Sequence, residues 1–489
     1  MKRDYGHYEA SYKAEANVFT AERRLQTSVN ELPASRATDY AAFRRAVMAD
    51  AAQHLSIDSS AAAAPTLSSD LKGDDLYDAA KAAFDRGNFK GAIELFKRVV
   101  EADPKHKTAW MDLGRSYMVL RQTDDAIGAF KKQAELNPYD AYAYGALGWA
   151  YTTQRKYDDA ATAFNKAIEI DPLSQYAHAA LGSMYQEAHQ YEKAAPELEK
   201  AVSLKPDDAA LQINLGDSYL NLGQDEKALA AFDRAVQISA TPDVWNNIAY
   251  QLSLKQVHLD RAQQYAESAV TAITNALRNL SLDRLSDRDL AMVIELHANW
   301  DTLGWVYFAR GDLNRAEKYV NAAWELGEYG EVGDHLAQIY QKRGRKDDAV
   351  RTYAMALSGL RPTLETRGRL APLVGGEGKV NSAVEQHRLD LQTLRTVKMG
   401  KIAPVSGTAD FFVVLASSPA GARVDAVKFI SGEEKLKPLT ETLKSAKFDF
   451  TFPDDVPTKI LRRGILSCSK NSGECEFVMM LPEDVHSVD

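Results

Sequence analysis

The chain is poor in cysteine, has no long apolar run and carries no excess of basic residues. Two cysteines among 489 residues exclude a framework of several disulfides. No run of about 18 apolar residues occurs, so no membrane-spanning helix is predicted. The net charge is −9, which argues against general nucleic-acid binding, because that function needs a basic surface.

The sequence also lacks the usual signatures of catalysis and metal binding. It contains neither an H-E-x-x-H metal motif nor a G-x-S-x-G nucleophile motif. The segment GGEGK (375–379) fails as a phosphate loop, since Leu373 stands where glycine is required. Paired acids such as Asp158–Asp159 fall at predicted helix starts, where they favour the positive helix end. We therefore predict no catalytic residue, no metal site and no cofactor, and hence a protein that is not an enzyme.

A repeat of 34 residues dominates the middle of the chain. Prolines recur at this spacing, and each repeat carries a small residue, a tyrosine, an alanine and a phenylalanine or leucine in the same register. Within each half-repeat the apolar residues fall three or four apart, which indicates helices. The prolines are Pro104, Pro138, Pro172 and Pro206, and the third repeat carries Tyr144, Leu147, Gly148, Tyr151, Tyr157, Ala160, Phe164, Ala167 and Pro172.

The repeated small residues indicate a close crossing of two helices. Glycine inside a helix costs about 1 kcal/mol against alanine, so its recurrence needs compensation. We expect Gly148 and Ala160 to lie where the two helices of one repeat cross. Each proline then closes a second helix, because proline inside a helix loses a hydrogen bond and clashes.

These residues resemble the tetratricopeptide repeat pattern over roughly residues 73–241. The resemblance implies a mainly α fold, a right-handed superhelix of helix pairs. The register weakens at 243–270, is interrupted by an insertion at 271–296 that predicts one or two helices, and returns at Trp300 and Leu336. We expect an array of about seven units over 73–375, irregular at 243–296, and a terminal helix over 376–400 that caps its apolar end.

Both ends of the chain differ from the array. The sequence predicts a β-hairpin over 1–32 that turns at Ala16–Asn17, a helix over 33–56 and a Ser- and Ala-rich linker over 57–72. Residues 401–489 predict a small α+β domain with its own core. Its predicted strands are 410–417, 422–431, 448–453, 458–469 and 474–481, and its predicted helix is 433–447.

The N-terminal segment resembles the tail of bacterial multidomain proteins, in which a β-rich domain of unknown function and a transglutaminase-like domain precede tetratricopeptide repeats. The matching residues are Tyr8, Tyr12, Asn17, Ala21, Glu22, Arg23, Glu31, Leu32, Pro33, Arg36, Tyr40, Phe43 and Arg44. This resemblance implies that the chain is the C-terminal portion of a longer protein. The alternative is that Met1 is the natural start and the hairpin packs on the first helix of the array.

The two cysteines flank a short segment. A turn between Cys468 and Cys475 would place them opposite each other on paired strands, as disulfide candidates. Disulfides persist in oxidising compartments, so this reading favours an extracytoplasmic location. Two buried thiols in a cytoplasmic protein remain the alternative.

The resemblance also implies a binding surface. In tetratricopeptide repeats the first helix of each unit lines the concave groove at its second, fifth, ninth and twelfth positions. Here those positions give Met111, Arg115, Met118, Tyr142, Trp149, Tyr176, Ser183, Gln186, Ile213, Asp217 and Leu220. The aromatic residues either contact a ligand or pack on one another or on the N-terminal helix.

Two functions fit these patterns. The first is a non-enzymatic scaffold whose groove binds a protein or peptide segment through adaptable apolar contacts. The second is the substrate-positioning half of a transglutaminase-like or peptidase-like enzyme whose catalytic domain lies outside this chain.

Overall fold

The computed structural model describes residues 71–402, 406–418, 421–453, 457–469 and 472–481, and the backbone of 2–3, 6–15 and 18–27. The chain divides into two units, before and from Leu71. In the first unit, strands β1 (Lys2–Arg3), β2 (Gly6–Glu15) and β3 (Val18–Thr27) form an antiparallel sheet in that order. The predicted turn at 16–17, the helix over 33–56 and all but the last two residues of the predicted linker lie outside the described residues.

The second unit begins with antiparallel helix pairs, which lie where the sequence predicts repeat units. Five regular pairs cover residues 73–238, and three less regular pairs follow over 242–356. The helices are α1 (Gly73–Asp85), α2 (Phe89–Ala102), α3 (Ala109–Val119), α4 (Thr123–Leu136), α5 (Ala141–Thr153), α6 (Tyr157–Ile170), α7 (Gln175–Glu187), α8 (Tyr191–Leu204), α9 (Ala209–Asn221), α10 (Asp225–Ile238), α11 (Pro242–Lys255), α12 (Leu259–Leu277), α13 (Asp287–Ala309), α14 (Leu313–Gly327), α15 (Gly330–Lys342) and α16 (Lys346–Ala356). Two single helices, α17 (Leu364–Val374) and α18 (Val380–Leu394), end the helical part.

The turns and ends of the helices explain the spacing of the repeat. Each of the first five pairs turns through one residue of positive φ, and these residues also recur every 34 positions. The repeated prolines stand two residues after the second helices end, where no helical hydrogen bond is lost. The turn residues are Gly87, Arg121, Arg155, His189 and Gly223.

The helices of a pair cross closely at the repeated glycine. A Cβ atom added to Gly148 would lie 2.7 Å from the ring of Phe164 on the partner helix. The same contact would form at Gly114 with Phe130 and at Gly216 with Phe232, at 2.4 Å in each case. The crossing predicted at Gly148 and Ala160 is therefore present, and the ring of Phe164 fills it.

The insertion at 271–296 does not form helices of its own. It lengthens α12 to 19 residues and α13 to 23 residues, and a short loop joins them. Leu280 and Leu282 in that loop are buried. The segment predicted to form one or two helices is thus helical at both of its ends, as extensions of two repeat helices, and its loop contributes Leu280 and Leu282 to the core that also contains the C-terminal strands.

The C-terminal residues form a five-stranded antiparallel sheet in the order β4-β8-β7-β5-β6. Its strands are β4 (Thr396–Lys401), β5 (Gly407–Ser418), β6 (Gly421–Gly432), β7 (Lys459–Cys468) and β8 (Glu474–Met479). Four of them lie where the sequence predicts strands. A 3-10 helix (Glu434–Leu439) and a short helix α19 (Thr440–Lys444) connect β6 to the rest.

Three details of the C-terminal prediction are wrong. Residues 448–453 form no strand, because their alternating phenylalanines contact two different neighbours: Phe448 packs on Phe477, and Phe450 packs on Trp300. The helix predicted over 433–447 is divided into a 3-10 helix of six residues that contains Pro438 and the five-residue helix α19. The last residues of the terminal helix predicted over 376–400 belong instead to the edge strand β4.

The sheet shares one hydrophobic core with the later helices rather than having its own. A single cluster of buried side chains runs from Ala195 in α8 to Met479 in β8. Three hydrogen bonds join the lengthened helices and their loop to the strands. Arg278 Nε donates to Pro457 O at 3.3 Å, Lys459 Nζ to Leu280 O at 3.4 Å, and Lys428 Nζ to Leu282 O at 3.2 Å.

Candidate functional site

The first helices α3, α5, α7 and α9 carry the predicted groove residues, but three of these are core residues. Met111, Ile213 and Leu220 are at most 7% exposed and belong to the buried clusters of the array. Their assignment as open groove contacts is therefore wrong. They occupy the fifth and twelfth repeat positions, which the packing of neighbouring helices buries here. Met118, also at a twelfth position, is half-buried.

Three aromatic side chains do face solvent. Tyr142 is 54% exposed, Trp149 40% and Tyr176 47%, and we call these three the aromatic patch. The Tyr176 ring lies over Gly145, where an added Cβ would be 3.4 Å from Cε1. The Trp149 ring stands edge-on to Phe164, with centroids 6.3 Å apart. Burial raises the pKa of Tyr176, while its hydrogen bond with Trp149 opposes that rise. The Tyr176 and Trp149 rings are therefore partly packed against the array and partly open to solvent.

The polar groove residues of α7 and α9 bind one another. Gln186 Nε2 donates to Asn214 O at 2.8 Å and to Asp217 Oδ2 at 2.9 Å. Asn221 Nδ2 donates to Asp217 Oδ1 at 3.0 Å. Burial raises the pKa of Asp217, and Lys255 opposes this. Gln186 and Asp217 therefore tie adjacent units together, beside the half-buried Ser183.

Arg115 lies apart from the aromatic patch, one unit earlier. Its NH1 atom is 3.3 Å from Asp112 Oδ1, and its guanidinium lies over the Phe84 ring at 5.1 Å. Arg115 is exposed, so its guanidinium is accessible from solvent.

A second site lies on the first helices of the last three pairs, and the sequence analysis missed it. A cavity of about 250 Å³ opens between α11, α13 and the start of α15. Its polar lining includes Asn246, Tyr250, Asp301 and Glu331. When the last three units are aligned on Trp245, Trp300 and Leu336, Glu331 falls at a second repeat position, Asn246 and Asp301 fall at fifth positions, and Tyr250 falls at a ninth. Applying the second, fifth, ninth and twelfth groove positions to the irregular units would have found these residues.

Hydrogen bonds organise this second site. Tyr250 Oη donates to Glu331 Oε1 at 2.5 Å, and His335 Nδ1 lies 3.0 Å from both oxygens of Asp301. His335 also stacks on Trp305, with centroids 4.1 Å apart. Burial opposes the charged form of His335, but the Asp301 carboxylate raises its pKa overall. Burial and then Glu331 raise the pKa of Tyr250.

The remaining candidates concern the cysteines, metals and membranes. Cys468 and Cys475 face each other on β7 and β8, with Cα atoms 4.1 Å apart, and a disulfide joins them. Among the described residues, no group of three or more His, Cys, Asp or Glu side chains is arranged to hold a metal ion. None of the helices in the described part of the chain combines the length and apolar character needed to cross a bilayer.

Comparisons with known proteins agree with the repeat. Tetratricopeptide repeat models match residues 77–141, 111–175, 185–249 and 334–368. A search of curated proteins gives no match.

Three similar solved structures illustrate the likeness. A crystal structure of MamA is 29% identical over 33% of this chain and 94% of its own, with a TM-score of 0.32. The TPR protein YrrB, described as having an unusual peptide-binding site, is 21% identical over 36% and 91% of the two chains, with a TM-score of 0.30. A Cut9–Hcn1 structure is 15% identical over 65% and 56%, with a TM-score of 0.38. The matched residues and the helix pairs they cover show that this chain contains tetratricopeptide repeats.

Proposed function

We propose that the protein is a non-enzymatic scaffold whose helix-pair array binds a segment of another protein, with the aromatic patch as the anchor. The observation that carries this proposal is the exposure of three large aromatic side chains on the first helices of successive units. Large aromatic residues at such positions are typical of binding hot spots, because they bury much apolar area at a low entropic cost.

The surroundings of the patch favour an apolar segment. From Tyr142 to Ser183, the second, fifth, ninth and twelfth repeat positions carry no charged side chain. A partner would therefore bury few ionised groups against the patch, and apolar contact would supply most of its affinity. Arg115 and Asp217 stand at the two ends of this neutral stretch and would bind polar groups of the partner.

The test is the substitution Trp149→Ala. Truncating an anchor typically costs about 2 kcal/mol of binding free energy, or roughly 30-fold in affinity. We expect the variant to keep its helical circular dichroism and to lose the partners that the parent captures in pull-downs. Tyr139→Ala is the matched control, since Tyr139 is 84% exposed but lies between α4 and α5.

Two outcomes would refute the assignment. If Trp149→Ala unfolds the array, the indole is a core residue and the patch is not a binding surface. If the variant folds and retains every partner, the segment binds elsewhere on the chain.

A further inference from the structure

The exposed rings of the aromatic patch are held by the array rather than by one another. Tyr142 and Tyr176 stand at the same repeat position of successive units, and Trp149 lies between them along the chain. The Tyr176 ring lies over Gly145, and the Trp149 ring stands edge-on to Phe164. Among the described side chains, none of the three rings of the patch stacks on another. The patch therefore presents separate ring surfaces rather than one stacked cluster.

The polar groups around these rings can donate hydrogen bonds but offer few acceptors. At the groove positions of the neutral stretch, no side chain carries a carboxylate or an amide, and carbonyl groups inside a helix accept from the helix's own N–H groups. Thr152 is buried, and its Oγ1 atom donates to Gly148 O at 2.9 Å. Trp149 hydrogen-bonds to Tyr176. Because an indole only donates, the hydroxyl proton of Tyr176 is left for another acceptor.

This balance of donors and acceptors selects against an ordinary extended segment. A β-strand presents backbone N–H groups, and each one that lost its water without gaining an acceptor would cost free energy. Proline has no N–H group, and a polyproline II helix leaves its carbonyl oxygens free because it makes no internal hydrogen bonds. A proline-rich segment would therefore bring acceptors to a surface of donors, and its prolines would carry no charge into the neutral stretch.

The spacing of the rings also fits a polyproline II helix. Helices α5 and α7, which carry Tyr142 and Tyr176, contact each other, with Cα atoms within 8 Å. Packed helices have axes about 8–10 Å apart, and one turn of polyproline II, which contains three residues, is about 9 Å long. Prolines three residues apart would therefore meet equivalent rings of successive units. Aromatic side chains that line a groove are a known surface for such segments.

We propose that the aromatic patch binds a proline-rich segment in the polyproline II conformation. Its prolines stack on the rings of Tyr142, Trp149 and Tyr176, and its carbonyl oxygens accept from the tyrosine hydroxyls. This inference rests on the function proposed above and adds the chemical class of the partner. The segment is uncharged, stiff and poor in N–H donors, which distinguishes it from an apolar α-helix held by the same rings.

The probe is an acetylated and amidated peptide of nine prolines, which is uncharged and adopts polyproline II. Two uncharged comparison peptides are a flexible one of glycine and serine of the same length, and a helical one of about 18 residues, rich in alanine, leucine and glutamine. Isothermal titration calorimetry of the full chain measures the three affinities. We expect the proline peptide to bind at least about tenfold more tightly than either, because it loses little conformational freedom and leaves no N–H group of its prolines unpaired.

Substitutions in the patch locate the binding. Tyr142→Ala and Tyr176→Ala should each weaken binding of the proline peptide at least about fivefold, which corresponds to an interface contact of roughly 1 kcal/mol. Tyr139→Ala, which removes an exposed ring between α4 and α5, should leave the affinity unchanged. Circular dichroism shows whether each variant is folded. Tyr142 is the more exposed of the two patch tyrosines, so Tyr142→Ala decides the question if Tyr176→Ala unfolds.

Three results would overturn the proposal: no saturable binding of the proline peptide, equally tight binding of either comparison peptide, or an unchanged affinity in folded Tyr142→Ala. If one of them occurs while Trp149→Ala still loses its partners, the patch binds another kind of segment and only this inference fails. If Trp149→Ala retains every partner, the function proposed above fails whatever the peptides show.

Discussion

A glycine at each helix crossing decides how closely the two helices of a unit approach. At Gly148 and Gly182 an added Cβ would meet Phe164 and Leu198 at 2.7 Å, a distance that real side chains do not tolerate. The bulky residue on the second helix thus uses the space that the missing side chain leaves. The helical penalty of about 1 kcal/mol for glycine is offset by this contact.

We predict that Gly148→Leu destabilises the array. The new side chain would overlap Phe164 and force a shift of one helix, at a cost of about 1–3 kcal/mol for overpacking. Urea denaturation followed by circular dichroism measures the change. Gly128→Leu is the matched control, because nothing lies within 4 Å of a Cβ added there in α4. Equal stability of the two variants would contradict the crossing argument.

The sequence placed the predicted groove residues on the first helices of their units but could not say which of them are exposed. The groove rule treats the second, fifth, ninth and twelfth positions alike. In the structure Trp149, at a ninth position, is exposed, whereas Ile213, at a fifth, is buried. Equivalent positions also differ between units: at the fifth position of α5 the Tyr176 ring lies over Gly145, whereas at the fifth position of α9 the Ile213 side chain is part of the buried core.

At the scale of elements, periodicity predicted the helix pairs and four of the five C-terminal strands. It failed where an element is defined by distant contacts. Strand β4 is short and basic, and it is a strand because it pairs with β8. Residues 448–453 alternate like a strand, but Phe450 and Phe452 contact Trp300 in α13 instead.

The disulfide joins two elements that the sequence did place correctly. We predict that replacing both Cys468 and Cys475 by serine lowers the free energy of unfolding by about 2–3 kcal/mol, since the link constrains the unfolded chain. Thermal melting with and without a reductant measures this. The parent should lose stability on reduction, and the double variant should not respond. A parent that is indifferent to the reductant would contradict the prediction.

At the scale of the whole second unit, the sheet and the array are one folded body. Lengthened helices α12 and α13 provide the surface on which the sheet packs, and Arg462 of β7 is 3% exposed beneath it. Its NH1 atom donates to Leu326 O at 2.5 Å. Local sequence patterns could not show this, because the contacting residues are more than a hundred positions apart. The expectation of a separate C-terminal core failed for that reason.

Buried charges gather where the sheet meets α14. Glu325 and Glu328 lie on or just after that helix, and Arg395 and Arg462 face them from the strand side. Arg395 Nε is 3.1 Å from Glu328 Oε1, and the backbone N–H of Thr451 donates to Glu325 Oε2 at 3.4 Å. Burial of such groups makes the packing of the sheet sensitive to their protonation.

This arrangement predicts a stability that falls as the pH rises. Burial raises the pKa of both Glu325 and Glu328 from 4.5 to about 7, against the opposing effects of Asn321 and of Arg395 and Arg462. Between pH 4.5 and pH 7 the folded protein binds more protons than the unfolded chain, so the free energy of unfolding falls as the pH rises. The stability that the two carboxyls contribute is complete below pH 4.5 and is lost as the pH rises through 7.

We expect these carboxyls to make the chain roughly 1–3 kcal/mol more stable at pH 5 than at pH 8, relative to a variant in which both are glutamine. Chemical denaturation of parent and Glu325→Gln/Glu328→Gln proteins across this range measures the difference. Glu94→Gln, at an exposed position in α2, should follow the parent at every pH. If the stabilities of the parent and the double variant change in parallel with pH, both carboxyls are already ionised at pH 5. The buried arginines, rather than burial, would then govern the protonation of these carboxyls.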